Sequence, residues 1–186
     1  MIRKRLTAAA LAAGIGLVTL GAVGAGTASA QTAACVNDPA GFCGAQVNTF
    51  DNALTVANTT ARVNAVVNAT PLNTHAASQD FIAKTYPGGG ANGRTFEYAP
   101  NNKPSGLYLS FPQTGNRTGL VLRKFVAGSK FQEFRGMNTT DTNGTPWVNV
   151  ASGRSMQANG TGKQVIQARP VTNPGGANWG FQQAAS

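Results

Sequence analysis

An all-β fold assembled from three copies of one unit is what this sequence predicts, and two observations carry that reading. Short runs rich in Val, Thr, Phe and Tyr recur along the chain between Gly, Pro and Asn clusters, and no segment keeps a 3.6-residue apolar period. Aromatic rings also close three stretches at near-equal intervals. Gln79-Asp80-Phe81, Ser129-Lys130-Phe131 and Ala177-Asn178-Trp179 place those rings 50 and 48 residues apart, and Val56, Leu109 and Met156 open the same stretches 53 and 47 apart. A unit of this length cannot bury its own apolar face and must be completed by its copies.

Residues 1–30 read as a signal peptide of bacterial type. Arg3, Lys4 and Arg5 precede an Ala/Gly/Leu/Val run, and Ala28-Ser29-Ala30 fits a signal-peptidase site, so the folded part is expected to be secreted. Residues 31–44 form an arm in which Cys35 and Cys43 are expected to pair, as an even cysteine count in an exported chain suggests. The loop they close is short, so the bridge contributes on the order of 2 to 3 kcal/mol and mainly ties down the arm.

From residue 45 to 186 every element reads as a strand. The runs are Gln46–Phe50, Thr95–Tyr98, Leu107–Phe111, Leu120–Phe125, Trp147–Val150 and Gln164–Gln167, with turns such as Pro87-Gly88-Gly89-Gly90 and Gln113-Thr114-Gly115-Asn116 between them. Ala53–Ala69 could be drawn as a helix, but Thr59, Thr60, Val56, Val63, Val66 and Val67 favour pleated structure. Three copies of about four strands close on themselves and remove the exposed edges of an all-β chain. Length and period are those of a β-trefoil.

Ser152-Gly153-Arg154-Ser155-Met156-Gln157, Ile166-Gln167-Ala168-Arg169 and Gly176-Ala177-Asn178-Trp179-Gly180-Phe181 resemble the ricin B-chain type lectin repeat. That repeat runs roughly S-G-K-C-L-D-V, V-Q-L-W and Q-x-W-x-F. Ser105-Gly106-Leu107-Tyr108-Leu109 repeats its opening and Gln79-Asp80-Phe81 its ending. The resemblance implies that Phe81, Phe131 and Trp179 are core residues and that sugar contacts come from the Asp after the opening Leu, a Gln (here Gln167) and an aromatic in the V-Q-L-W piece and an Asn-Gln pair before the closing Trp. This chain departs from that set. Ala57, Ser110 and Gln157 fall at the Asp position, Arg169 at the aromatic one, and Ser78-Gln79, Gly128-Ser129 and Gly176-Ala177 replace Asn-Gln. Ser155 and Val171 replace the repeat's cysteine pair.

The composition narrows the function classes. There is one histidine, His75, and six carboxylates, and no Gly-x-Ser-x-Gly, phosphate loop or metal-spaced cluster occurs. No catalytic residue, metal site or cofactor is expected. The reading is a non-catalytic, lectin-like binding module for a polysaccharide or wall glycan, with Gln157, Gln167 and Arg169 as ligand-binding candidates, acting as a monomer. A β-trefoil enzyme inhibitor working through an exposed loop is the alternative. The net charge of +9 falls to +6 without the three basic leader residues, which suits an anionic polymer such as an acidic polysaccharide and equally a secreted protein kept dispersed by its charge. Copy two interleaves cations and rings: Arg117, Arg123, Lys124, Phe125, Lys130, Phe131 and Arg135. Such a mixture could bind an acidic glycan or a single-stranded nucleic acid, although strand residues alternating in and out give the same pattern with no ligand, and nucleic acid is not the expected partner.

Overall fold

The computed structural model describes residues 42–73, 75–137, 145–170 and 176–182. The predicted leader and Cys35 lie outside them. Copy one supplies β1 (Phe42–Asn48), β2 (Asn52–Val56), β3 (Val67–Pro71) and β4 (Phe81–Lys84). Copy two supplies β5 (Gly93–Tyr98), β6 (Leu107–Ser110), β7 (Val121–Lys124) and β8 (Phe134–Gly136). Copy three supplies β9 (Thr145–Asn149), β10 (Ser155–Gln157), β11 (Lys163–Gln164), β12 (Ile166–Ala168) and β13 (Asn178–Gln182). The Ala53–Ala69 stretch is a β-hairpin, as its β-branched content predicts.

The outer strands of the copies close a barrel. Around it β1 pairs with β4, β4 with β5, β5 with β8, β8 with β9, β9 with β13, and β13 with β1, all antiparallel. The inner pairs β2–β3, β6–β7 and β10–β12 are hairpins. Because β1 already pairs with β4 from Phe42, residues 42–44 belong to the barrel and not to the arm that the sequence assigned them.

The hairpins meet on the pseudo-threefold axis through main-chain hydrogen bonds. The Val67 N–H donates to the Leu120 carbonyl at 3.1 Å, the Leu120 N–H to Val165 at 2.7 Å, and the Val165 N–H to Val67 at 2.9 Å, which closes a ring. Three residues earlier in each copy stand Asn64, Arg117 and Gly162, all at positive φ (66°, 61° and 75°). Their N–H groups donate to Leu122, Gln167 and Ala69. That left-handed turn is natural for Gly162 and costs Arg117 most.

This ring fixes which residues are equivalent and corrects the sequence register twice. From Ala69, Leu122 and Gln167 the chain runs the same twelve residues to Phe81, Phe134 and Trp179. The closing aromatic of copy two is therefore Phe134 in Gln132-Glu133-Phe134, not Phe131. Phe134 is 0 % exposed and packs on Phe96 and Phe111 with ring centroids 5.5 and 6.0 Å apart, whereas Phe131 is 38 % exposed. Across the hairpins Ala69, Leu122 and Gln167 pair with Leu54, Leu109 and Met156, so the copy-one opener is Leu54 in place of Val56. The residue after it, where the lectin pattern has Asp, is then Thr55 and not Ala57.

The reason the sequence misleads is length. The hairpins shorten by two residues from copy to copy, so spacings between opening and closing residues drift while the strand-to-strand step stays constant.

One core fills the barrel and the space under the hairpins, with Leu54, Phe81, Tyr98, Leu109, Phe134, Met156 and Trp179 all buried. Trp179 Nε1–H donates to the Met156 carbonyl at 3.0 Å, so its ring is both packed and hydrogen-bonded. Tyr98 pairs with Phe81 and donates its hydroxyl to the Thr59 carbonyl at 3.1 Å. Burial, with the Asp80 charge added, pushes the Tyr98 hydroxyl up to about 12. In the unfolded chain a tyrosine ionises near 10. Between those values the unfolded state has released a proton that the folded state keeps, so stability falls as pH rises through that window. Urea unfolding across it should show this loss, and Tyr98→Phe should reduce it, the remainder coming from Tyr108 and Lys84, which are also raised in the folded protein. An unchanged slope in the variant would refute the assignment.

Candidate functional site

The clearest candidate site lies on copy two and is built by the end of its hairpin. Along β7 Leu122 is buried in the core, Arg123 is half-buried and Lys124 at the strand end is exposed. The chain then turns at Val126–Ser129, where Gly128 takes φ 73° and the Ser129 N–H donates to the Val126 carbonyl at 3.1 Å. Gln132 clamps this turn. Its Oε1 accepts from the Val126 N–H at 2.9 Å and its Nε2 donates to the Lys124 carbonyl at 2.7 Å. Copy one uses Gln79 in the same way, accepting from the Asn73 N–H at 2.8 Å and donating to the Pro71 carbonyl at 2.9 Å. The Gln of the lectin ending is therefore a turn clamp in these two copies, and its amide is spent on the backbone.

The clamp leaves a cavity of about 470 Å³ bordered by Ser110, Arg123, Lys124, Val126 and Phe131, with Val63 of the long copy-one hairpin as a further wall. Ser110 follows Leu109, so it occupies the place of the pattern's Asp. Arg123 follows Leu122, so it occupies the place of the stacking aromatic. Val126 and Val63 are exposed, as is half of the Phe125 side chain, whose ring lies 4.7 Å from Tyr108. The Arg123 Nε is buried and has no hydrogen-bond partner. No carboxylate borders the cavity.

Nearby Glu97 is committed elsewhere. Its Oε2 accepts from Lys84 Nζ at 2.6 Å and from the Tyr108 hydroxyl at 3.0 Å, and its Oε1 accepts from the Gly106 N–H at 2.7 Å. Burial lowers the Lys84 ammonium, but the Glu97 hydrogen bond and charge outweigh it and leave it above its ordinary value. Every partner of Glu97 is thus a fixed donor, the arrangement of a structural anchor and not of an acid–base pair. Among the described residues no cluster of His, Cys, Asp or Glu could hold a metal.

The residues singled out from sequence lie on copy three. Gln167 is 0 % exposed. Its Nε2 donates to the carbonyls of Gln113 and Gly115, and its Oε1 accepts from the Ser152 hydroxyl at 2.7 Å. No group of that amide is left for a ligand. The first and third residues of the V-Q-L-W strand face the core, and here they are Val165 and Gln167; the aromatic place is then Ala168, one short of Arg169. Gln157 is half-buried on β10 and Arg169 is exposed beyond β12. Residues 171–175 lie outside the described set.

A second cavity, of about 600 Å³, lies between Arg135, Met137, Val148 and Pro170 and matches no lectin position. The sequence showed the mixture of cations and rings in copy two, but its site candidates were placed on copy three because the misplaced Phe131 was read as core.

A closed six-strand barrel capped by three hairpins is a β-trefoil, and the comparisons with known proteins agree. No protein-family model and no curated protein matches the chain. Solved structures do. A designed threefold-symmetric protein, ThreeFoil, is similar over 74 % of this chain and 95 % of its own, with a TM-score of 0.61 and 18 % identity. The Rhizoctonia solani agglutinin is similar over 75 % of this chain and 92 % of its own (TM-score 0.59, 12 % identity). Polyporus squamosus lectin, solved with a human-type influenza-binding epitope, is similar over 75 % of this chain (TM-score 0.59, 14 % identity), which spans 48 % of that lectin. At these identities the likeness is one of fold.

Proposed function

We propose that this chain is a non-catalytic, lectin-like binding module for a polysaccharide or cell-wall glycan, exported from a bacterial cell, and that copy two carries its site. The observation behind this reading is the copy-two cavity, in which a ring that is 38 % exposed stands beside donors at two of the pattern's sugar-contact places. Phe131 offers a face to the C–H side of a sugar ring, and the Ser110 hydroxyl and the Arg123 N–H groups can meet its oxygens. The fold shared with lectins and an agglutinin supports the same reading. Gln157 and Arg169 remain proposed as contacts of a second, copy-three site.

The test is retention of residues 31–186 on insoluble polysaccharides, guided by a glycan array. Phe131→Ala should weaken retention about tenfold, the loss of roughly one ring contact, without lowering the melting temperature appreciably. Retention on an acidic polysaccharide should also fall as salt rises, because exposed charges are screened beyond about 8 Å at physiological ionic strength. Binding indifferent to Phe131→Ala, or no retention on any glycan, would refute the proposal.

A further inference from the structure

We propose that the copy-two cavity takes the anionic group of an acidic saccharide, a carboxylate or a phosphate ester, on the Arg123 guanidinium. The inference rests on the glycan reading above and adds the ligand's chemical class.

Three observations meet at this side chain. Arg123 lines the cavity with its Nε buried and without an acceptor. A buried donor that water no longer reaches costs free energy until something accepts from it. Lys124 follows on the same strand, exposed and also lining the cavity, and neither residue forms an ion pair among the described residues, where the Lys84–Glu97 contact is the one found. The opposite walls, Val63, Val126 and Phe131, are apolar. The site therefore pairs two uncompensated cations with a face fit for C–H groups. A guanidinium presents parallel N–H donors that match the two oxygens of a carboxylate or phosphate, which a neutral hydroxyl cannot reproduce.

The copy-one hairpin sharpens this geometry. It is the longest of the three, and the Asn64 N–H donates to the Leu122 carbonyl at 2.8 Å, so Val63 is held next to the strand that carries Arg123. The shorter hairpins place Asn116 and Thr161 at the same point, beside Gln167 and Ala69, so the apolar wall given by Val63 is particular to copy two.

The test uses nuclear magnetic resonance of ¹⁵N-labelled residues 31–186, with glucose, glucuronate and glucose 6-phosphate as probes. The Arg123 Nε–H signal, assigned through its disappearance in Arg123→Gln, should move on addition of an acidic probe and stay with glucose. Acidic probes should bind about tenfold more tightly than glucose. Comparing glucuronate with glucose 6-phosphate decides between carboxylate and phosphate. Arg123→Gln should remove the preference for acidic probes over glucose, and Arg123→Lys, which keeps the charge but loses the fork, should restore only part of it. If Arg123→Gln fails to fold, Arg123→Lys, which also lacks the Nε–H, supplies the assignment. Equal affinity for glucose and both acids, with Ser110 and Phe131 signals moving, would overturn the anionic class and leave the glycan reading standing. No movement at the cavity with any probe would overturn both.

Discussion

Replacing Phe134 by Ala should cost about 3 to 5 kcal/mol, the range for removing a fully buried aromatic ring, while Phe131→Ala should cost less than about 1 kcal/mol. Phe134 fills the barrel against Phe96 and Phe111, and its loss leaves a hole that these rings can only partly close. Phe131 keeps more than a third of its surface in water. For a domain of this size the first change should lower the melting temperature by roughly 10 °C and the second by no more than a few degrees. The pair is informative because the two rings are three residues apart and exchange roles if the register is wrong. Equal losses for both variants would refute the threefold equivalence of Phe81, Phe134 and Trp179.

The second large effect should come from Gln79→Leu, at about 2 to 3 kcal/mol. Gln79 is buried, and its amide ties the Asn73 N–H, the Pro71 carbonyl, Thr55 and Thr70 to one point. A leucine of similar size keeps the packing but leaves the N–H and the carbonyl without partners, and each buried orphan costs about 1 to 3 kcal/mol. Thr55 and Thr70 keep their own 2.6 Å hydrogen bond, which limits the loss. Gln132→Leu removes two bonds and should cost about half as much. Urea unfolding of both variants measures this. A change below about 0.5 kcal/mol in each would show that the turns hold themselves without the clamp.

What could be read from the sequence divides along a physical line. The strands were legible because β-branched and aromatic runs between turn residues are a local signal, and even the Ala-rich hairpin from Ala53 to Ala69 obeyed it. The threefold count was legible because the copies are similar in length. The register was not, since hairpins of unequal length shift one copy against the next, and only a long-range hydrogen bond such as Leu120 to Val165 marks equivalent residues. That slip hid the site. Gln167 reads as a sugar-binding amide in sequence, yet strand alternation turns it inward to hold the carbonyls of Gln113 and Gly115. Phe131 reads as core because it closes a plausible motif, while the true closing ring follows it by three residues.

The ring that joins Val67, Leu120 and Val165 is made of peptide groups alone. A substitution at any of these positions alters a side chain without removing the donor or acceptor, proline excepted. The hydrogen bonds at the centre of the molecule thus do not depend on which side chain stands there, while Val67, Leu120 and Val165, all buried, must still fit the core. Such a scaffold holds its shape while the outer faces of its three copies differ.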